Sequence, residues 1–281
     1  MSLDISDALS DGLSRTLERS GLLLVATFLA LGVVNAVSGQ TSSAALTRFF
    51  RTQLAELPPD AFAGPTGAGG PPALPGPEQT PLALPVPLPV ALVLVLVVAF
   101  LAEAVRIVAV RTLVSDETDT IPESFVTRNI ISATVNGFVG GIVVFILVGV
   151  GLLFFVVPGI FLALAFFFVR QEIAVEDRNF VDALSASWEL TSGHRITLFA
   201  LALILFLISV VVSVGVGAAV GLAGSPLLTT VVTTVVGAVT TVFGVAVASR
   251  AYVQLTQETR PDGPLDETGD DVEESEWKYN P

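Results

Sequence analysis

Few side chains in this sequence can do chemistry, and the ones that can lie inside or beside apolar runs. Glu103 and Arg106 stand three apart in a run otherwise free of charge, and Arg170 and Glu172 follow eleven uninterrupted apolar residues, 159–169. Three residues along a helix is one face, so Glu103 and Arg106 pair across a turn, and Arg170 at similar depth comes within reach of Glu103. Charges inside a membrane-length run are costly and point by default to a gate, or to a proton or anion site. The plainer account is snorkelling to an interface with mutual pairing, because all four lie near the end of a run. The chain has one histidine, His194, and no cysteine, which excludes disulfides and a Cys/His zinc site within one chain. It shows no intramembrane protease motif, no mid-span acidic or histidine relay and no glycine-rich phosphate loop ahead of a helix. No catalytic, cofactor or metal residue is therefore expected, and the reading is non-enzymatic.

The runs themselves set the class. Of 281 residues, 52% are hydrophobic and 14% charged, against about 25% charged in ordinary soluble domains. Apolar segments at 21–37, 89–110, 131–156, 159–175, 196–223 and 227–251 read as six transmembrane helices. The expected fold is an all-α polytopic bundle with amphipathic connector helices on the cytoplasmic side. Residues 1–20 form an amphipathic cytoplasmic segment; they are too acidic for a cleaved signal. Residues 21–256 form the membrane domain, and 257–281 an acidic, disordered cytoplasmic tail. Within the domain, 38–88 is an extracytoplasmic loop. Leu46, Phe49, Phe50 and Leu54 recur there at helical spacing, as in a short interfacial helix, and the rest is Pro- and Gly-rich linker.

Pro158-Gly159 decides the number of passes. As a turn between two spans, it leaves eleven of the thirteen basic residues on one side and only Arg48 and Arg51 on the other. As a kink in one span, the division becomes eight to five. The positive-inside rule favours the turn, with both termini and the connectors cytoplasmic at the cell membrane. Length agrees, since one helix over 131–175 would reach about 67 Å, over twice a hydrocarbon core of about 30 Å. A re-entrant fourth segment stays open beside a full span.

Small residues mark where helices can approach. Ser209, Ser213, Gly217 and Gly221 recur every four residues in the fifth segment, and Gly237 and Gly244 lie on nearly one face of the sixth. The partner is another helix of the chain, a second copy or a different membrane protein. The sixth segment also carries threonine pairs at 229–230, 233–234 and 240–241, which serve either packing or a polar pathway. An echo links DALSDGL at residues 7–13 with DALSASW at 182–188, each ahead of an apolar segment; PESFVTRN ahead of the third is a weaker copy. If real, this is a parallel repeat.

The stretch 153–199 carries a recognisable pattern: a Pro-Gly, an apolar helix, then Glu-Asp, then Ala-Leu-x-x-Ser-Trp-Glu-Leu-Thr-x-Gly. Its positions are Pro158, Gly159, Glu176, Asp177, Ala183, Leu184, Ser187, Trp188, Leu190 and Gly193. It resembles the membrane domain attached to some glycerophosphoryl diester phosphodiesterases, and related uncharacterised six-helix membrane proteins. The resemblance implies the six-helix architecture. It does not extend to the phosphodiesterase activity, which belongs to a separate barrel domain with a histidine pair that one histidine cannot supply. A net charge of −13 with a single lysine resembles proteins of salt-accumulating halophilic archaea. The expected function is an organising or regulatory membrane component contacting lipid or a partner protein, and not nucleic acid. The alternatives are a small transporter or channel-like subunit lined by the fifth and sixth segments, and an enzyme acting on lipid headgroups.

Overall fold

A computed structural model describes residues 3–56, 79–222 and 224–259. Among them the only regular elements are helices: α1 (Ile5–Leu17), α2 (Arg19–Ala55), α3 (Leu88–Val114), α4 (Glu123–Thr127), α5 (Ile130–Phe154), α6 (Val156–Ala165), α7 (Val169–Glu176), α8 (Phe180–Thr191), α9 (Arg195–Gly221) and α10 (Pro226–Thr259). Six spans are long and apolar enough to cross a membrane: α2, α3, α5, α6 with α7, α9 and α10. The short helices α1, α4 and α8 are the connectors. The linker at 57–78 and the tail beyond 259 lie outside the described residues.

The core sits at the connector end of the bundle. Ile107, Val110, Phe168, Ile173, Leu198, Leu201, Tyr252 and Leu255 are buried there together. Toward the opposite end the same spans expose Leu92, Val93, Phe145, Leu153, Val211, Val214 and Leu227. A helix whose apolar side chains face outward suits hydrocarbon, where lipid tails solvate Leu as well as protein does.

Each connector packs on the end of a hairpin. Helix α1 lies on α10 and α2, α4 on α3 and α5, and α8 on α7 and the spans beside it. The two sequence echoes fall on corresponding faces: Ala8 and Ala183 are wholly buried, and Thr16 and Thr191, at the same offset, are buried too. Asp4 starts α1 by accepting the Ser6 and Asp7 amides at 2.8 and 3.2 Å. The Ser6 hydroxyl, which also donates to this carboxylate, and then the two amides hold it below the usual aspartate value.

Two arginines tie the connectors down. Arg15 donates to the carbonyls of Thr112 and Glu117, both at 3.0 Å, and pairs with Glu18 at 2.7 Å, fastening the α1–α2 junction to the end of α3. Arg111, buried on α3, donates to the carbonyls of Ala174 (2.7 Å), Phe125 (3.0 Å) and Arg128 (2.7 Å), and pairs with Asp177 at 2.9 Å. Arg128 holds the other Asp177 oxygen at 3.1 Å. Asp177 and Asn129 both adopt left-handed backbone, with φ of 51° and 44°, which turns the chain out of α7 and into α5.

Three expectations are corrected. The interfacial helix expected after residue 38 is the continuation of the first span, since α2 runs 37 residues without interruption. The polar stretch in its middle contains no proline. Thr41 and Ser42 return their hydroxyls to the carbonyls of Val37 and Gly39, at 2.6 and 2.9 Å, so polarity does not break the helix. The helix of the first span therefore runs on to Ala55 instead of giving way to a loop at 38. The turn between the third and fourth spans lies at Phe155, with extended backbone, instead of at Pro158-Gly159. Pro158 is the third residue of α6, where its missing N–H has no partner to lose. Gly159 instead lets the hairpin close, because a side chain there would run into the backbone of Leu152.

Among the described residues, the small-residue seams of α9 and α10 face open space. A Cβ at Gly217, Gly221, Gly237 or Gly244 would meet nothing within 4 Å. Ser213 is exposed, and Ser209 returns its hydroxyl to Leu205 at 2.9 Å. The close approaches are elsewhere, at Gly12 on Val247, Gly137 on Glu103 and Gly151 on Gly159. Spacing alone marks a smooth helix face, and whether another helix uses it depends on distant contacts.

Candidate functional site

The fourth span is broken inside the bundle, and the break aims its charges. Helix α6 ends at Ala165 and α7 begins at Val169. Backbone groups freed at membrane depth need partners from the protein. Ser187 of α8 supplies both: its hydroxyl donates to the Ala165 carbonyl at 2.9 Å and accepts the Phe168 amide at 3.2 Å. Thr191 adds a second bond to Ala165 at 3.3 Å. Ala183, Ala186 and Ser187, all buried, let α8 approach closely enough for this. Leu184 packs beside the core. Trp188 lies at the edge, its ring edge-on to Phe161 with centroids 5.5 Å apart. Arg195 lies over Phe161 and Trp188, at 4.4 and 4.6 Å from the ring centroids. Gly193 takes a φ of 87° in the turn to α9, and His194 lies 3.6 Å from Glu258.

The reoriented α7 brings Arg170 to Glu103. Arg170 Nε and NH2 donate to the two Glu103 oxygens at 2.8 and 3.2 Å, and Arg106 NH1 lies 3.6 Å from the same carboxylate. The Glu103 side chain is only 5% exposed, while those of Arg106 and Arg170 keep 43% and 38%. Gly137 of α5 makes room, since any side chain there would press on Glu103 Oε1. Glu172 faces away, fully buried and paired with Arg178 at 3.2 Å. Glu176 closes α7 ahead of the Asp177 cap.

Glu103 lies 15 residues, about 22 Å by helix rise, from the Leu88 end of α3. The cluster thus lies within the length of the span, in the half nearer the connectors. Three cavities meet on it. One, about 400 Å³, follows α5 from Gly137 to Leu152 against α6 and α7, with Arg170 at one end. A second, about 400 Å³, holds Glu103, Arg106 and Arg170 beside Asn35 of α2. A third, about 350 Å³, joins Asn35 and Arg106 to Thr233, Thr234 and Thr241 of α10. The threonine-lined space thus lies against α2 and α3, with no α9 residue in its lining. Thr233, Thr234 and Thr240 also donate to carbonyls one turn back, at 2.7, 2.6 and 2.8 Å.

Sequence reasoning placed Glu103, Arg106 and Arg170 at one depth but passed over Asn35 and Arg111. Asn35 stood in plain view as an amide inside the first apolar segment. Arg111 directly follows the second apolar segment, and Leu113 and Val114 beyond Thr112 continue the apolar character, which was the available signal.

Helices and site together define a polytopic membrane protein with a charged cluster inside its spans. By its sequence the chain belongs to the family of the domain of unknown function DUF7847, whose model matches residues 3–255. No curated protein and no solved structure matches it.

Proposed function

We propose that the protein is a non-enzymatic integral membrane component that works by holding a bilayer lipid in the groove along α5. The observation that carries this reading is the groove's position. Its walls include Phe145, 77% exposed, and Leu152, 45% exposed, on the surface that faces hydrocarbon, and its inner end meets Arg170. Such a cavity admits a ligand sideways from the membrane, and its volume falls in the range of small-molecule sites. Purification from native membrane into a mild detergent, followed by lipid extraction and mass spectrometry, is expected to recover lipid in about stoichiometric amount. A bare protein would contradict the reading.

A transport path is the second reading, favoured by the space that joins Asn35 and Arg106 to the α10 threonines. It requires a cysteine at Thr233 to react with a water-soluble maleimide from one side of the membrane; no reaction from either side rejects it.

We also propose that the connector end is cytoplasmic, with both termini there. Arg15, Arg19, Arg111, Arg128, Arg178, Arg195 and Arg250 cluster at that end, and Arg48 and Arg51 at the other. The chain lacks cysteine, so single replacements report cleanly. Ser185→Cys is expected to resist an impermeant maleimide on intact cells and Gln79→Cys to react; the reverse pattern would invert the topology. The composition supports a high-salt archaeal home, where a Debye length of about 3 Å at molar salt would screen the charge of −13.

A further inference from the structure

We propose that Glu103, Arg106 and Arg170 select the headgroup of the lipid in the groove, and that this lipid is acidic, presenting a phosphate to the two arginines. The inference rests on the groove's holding a lipid, and adds which lipid. Charge is the first observation. One carboxylate, 5% exposed, faces two guanidiniums, so the cluster carries a net positive charge inside a membrane-length span. An anion restores balance; a neutral headgroup does not.

Donor use is the second. Arg170 spends Nε and NH2 on Glu103, and Arg106 stands at 3.6 Å from it, beyond hydrogen-bond distance. A guanidinium carries five donors in a planar fork suited to phosphate. The exposed parts of both side chains line the cavity that also holds Asn35, an amide able to donate to a further phosphate oxygen.

Wall chemistry is the third. From Gly137 to Leu152 the groove follows 15 residues of α5, about 22 Å, and its wall there is apolar. Gly141 and Gly149 keep it open, with nothing within 4 Å of a Cβ at either. Free phosphate shares the headgroup's chemistry but has no use for such a wall. A lipid uses both ends.

The test is native mass spectrometry of the full chain in mixed micelles, with phosphatidylglycerol, with phosphatidylcholine of the same chains, and with inorganic phosphate as competitor. Phosphatidylglycerol is expected to bind roughly tenfold better than phosphatidylcholine, because both present a phosphate but the choline cation of the latter cancels the charge that balances the cluster. Arg106→Gln should remove most of that preference, weakening phosphatidylglycerol far more than phosphatidylcholine. Glu103→Gln should strengthen phosphatidylglycerol binding, a gain that a purely structural role for Glu103 would not produce. If Glu103→Gln fails to fold, Arg106→Gln decides, because Arg106 donates no hydrogen bond to Glu103. Equal binding of the two lipids, unmoved by Arg106→Gln, would overturn headgroup selection while leaving a lipid groove intact. Binding of neither lipid would overturn the groove itself. Displacement of phosphatidylglycerol by millimolar phosphate would assign the arginines to a free anion and overturn the proposal.

Discussion

Ser187 carries more of the structure than its size suggests. Its hydroxyl both donates to Ala165 and accepts from Phe168 across the break between α6 and α7. Removing it takes the partner from the Phe168 amide and leaves the Ala165 carbonyl only the longer bond from Thr191. Ser187→Ala should therefore destabilise the protein by roughly 1–3 kcal/mol in reversible SDS unfolding, and a change below about 0.5 kcal/mol would mean the break is held by something else. Arg111 is a harsher case. Its guanidinium serves three carbonyls and Asp177, so Arg111→Gln should cost about 3–5 kcal/mol by the same measurement, as breaking a buried ion pair does. Asp177→Asn should cost less, since that carboxylate is 27% exposed and the amide still accepts a bond.

At the scale of elements, glycine position separates tight helix contacts from open faces. Helices α5 and α6 meet at Gly151 and Gly159, where a Cβ would strike backbone, whereas Gly217 and Gly221 of α9 face open space. Gly159→Ala is expected to lower stability by about 1–3 kcal/mol through overpacking, and Gly217→Ala to leave it unchanged. A loss at Gly217 in membrane would show that a second chain covers α9. The same contrast explains what could be read beforehand. Six spans, the connectors and the depth of Glu103, Arg106 and Arg170 follow from run length and spacing, which are local. The seams at Ser209–Gly221 and the turn at Pro158 were also read locally, and there the answer depended on contacts outside the window. The break at 166–168 had no local sign at all: the sequence is Phe-Phe-Phe, with neither Pro nor Gly. A serine 19 residues downstream sustains it.

For the whole molecule, three hairpins, α2–α3, α5 with α6–α7, and α9–α10, each follow a connector helix, and each connector packs on the end of a hairpin. Connectors fix one end of the bundle, where the core lies, and leave the opposite halves of the spans to hydrocarbon. The charged cluster sits at the boundary between the two, which is where a lipid could place a headgroup on protein and a chain along α5. Gly141→Leu tests this directly, since a Cβ there has open space around it and the longer side chain would occupy the groove. Native mass spectrometry of protein taken from membrane should find lipid on the wild type and little or none on Gly141→Leu, with unfolding of the two alike. Equal lipid occupancy on both would contradict the groove as the binding site.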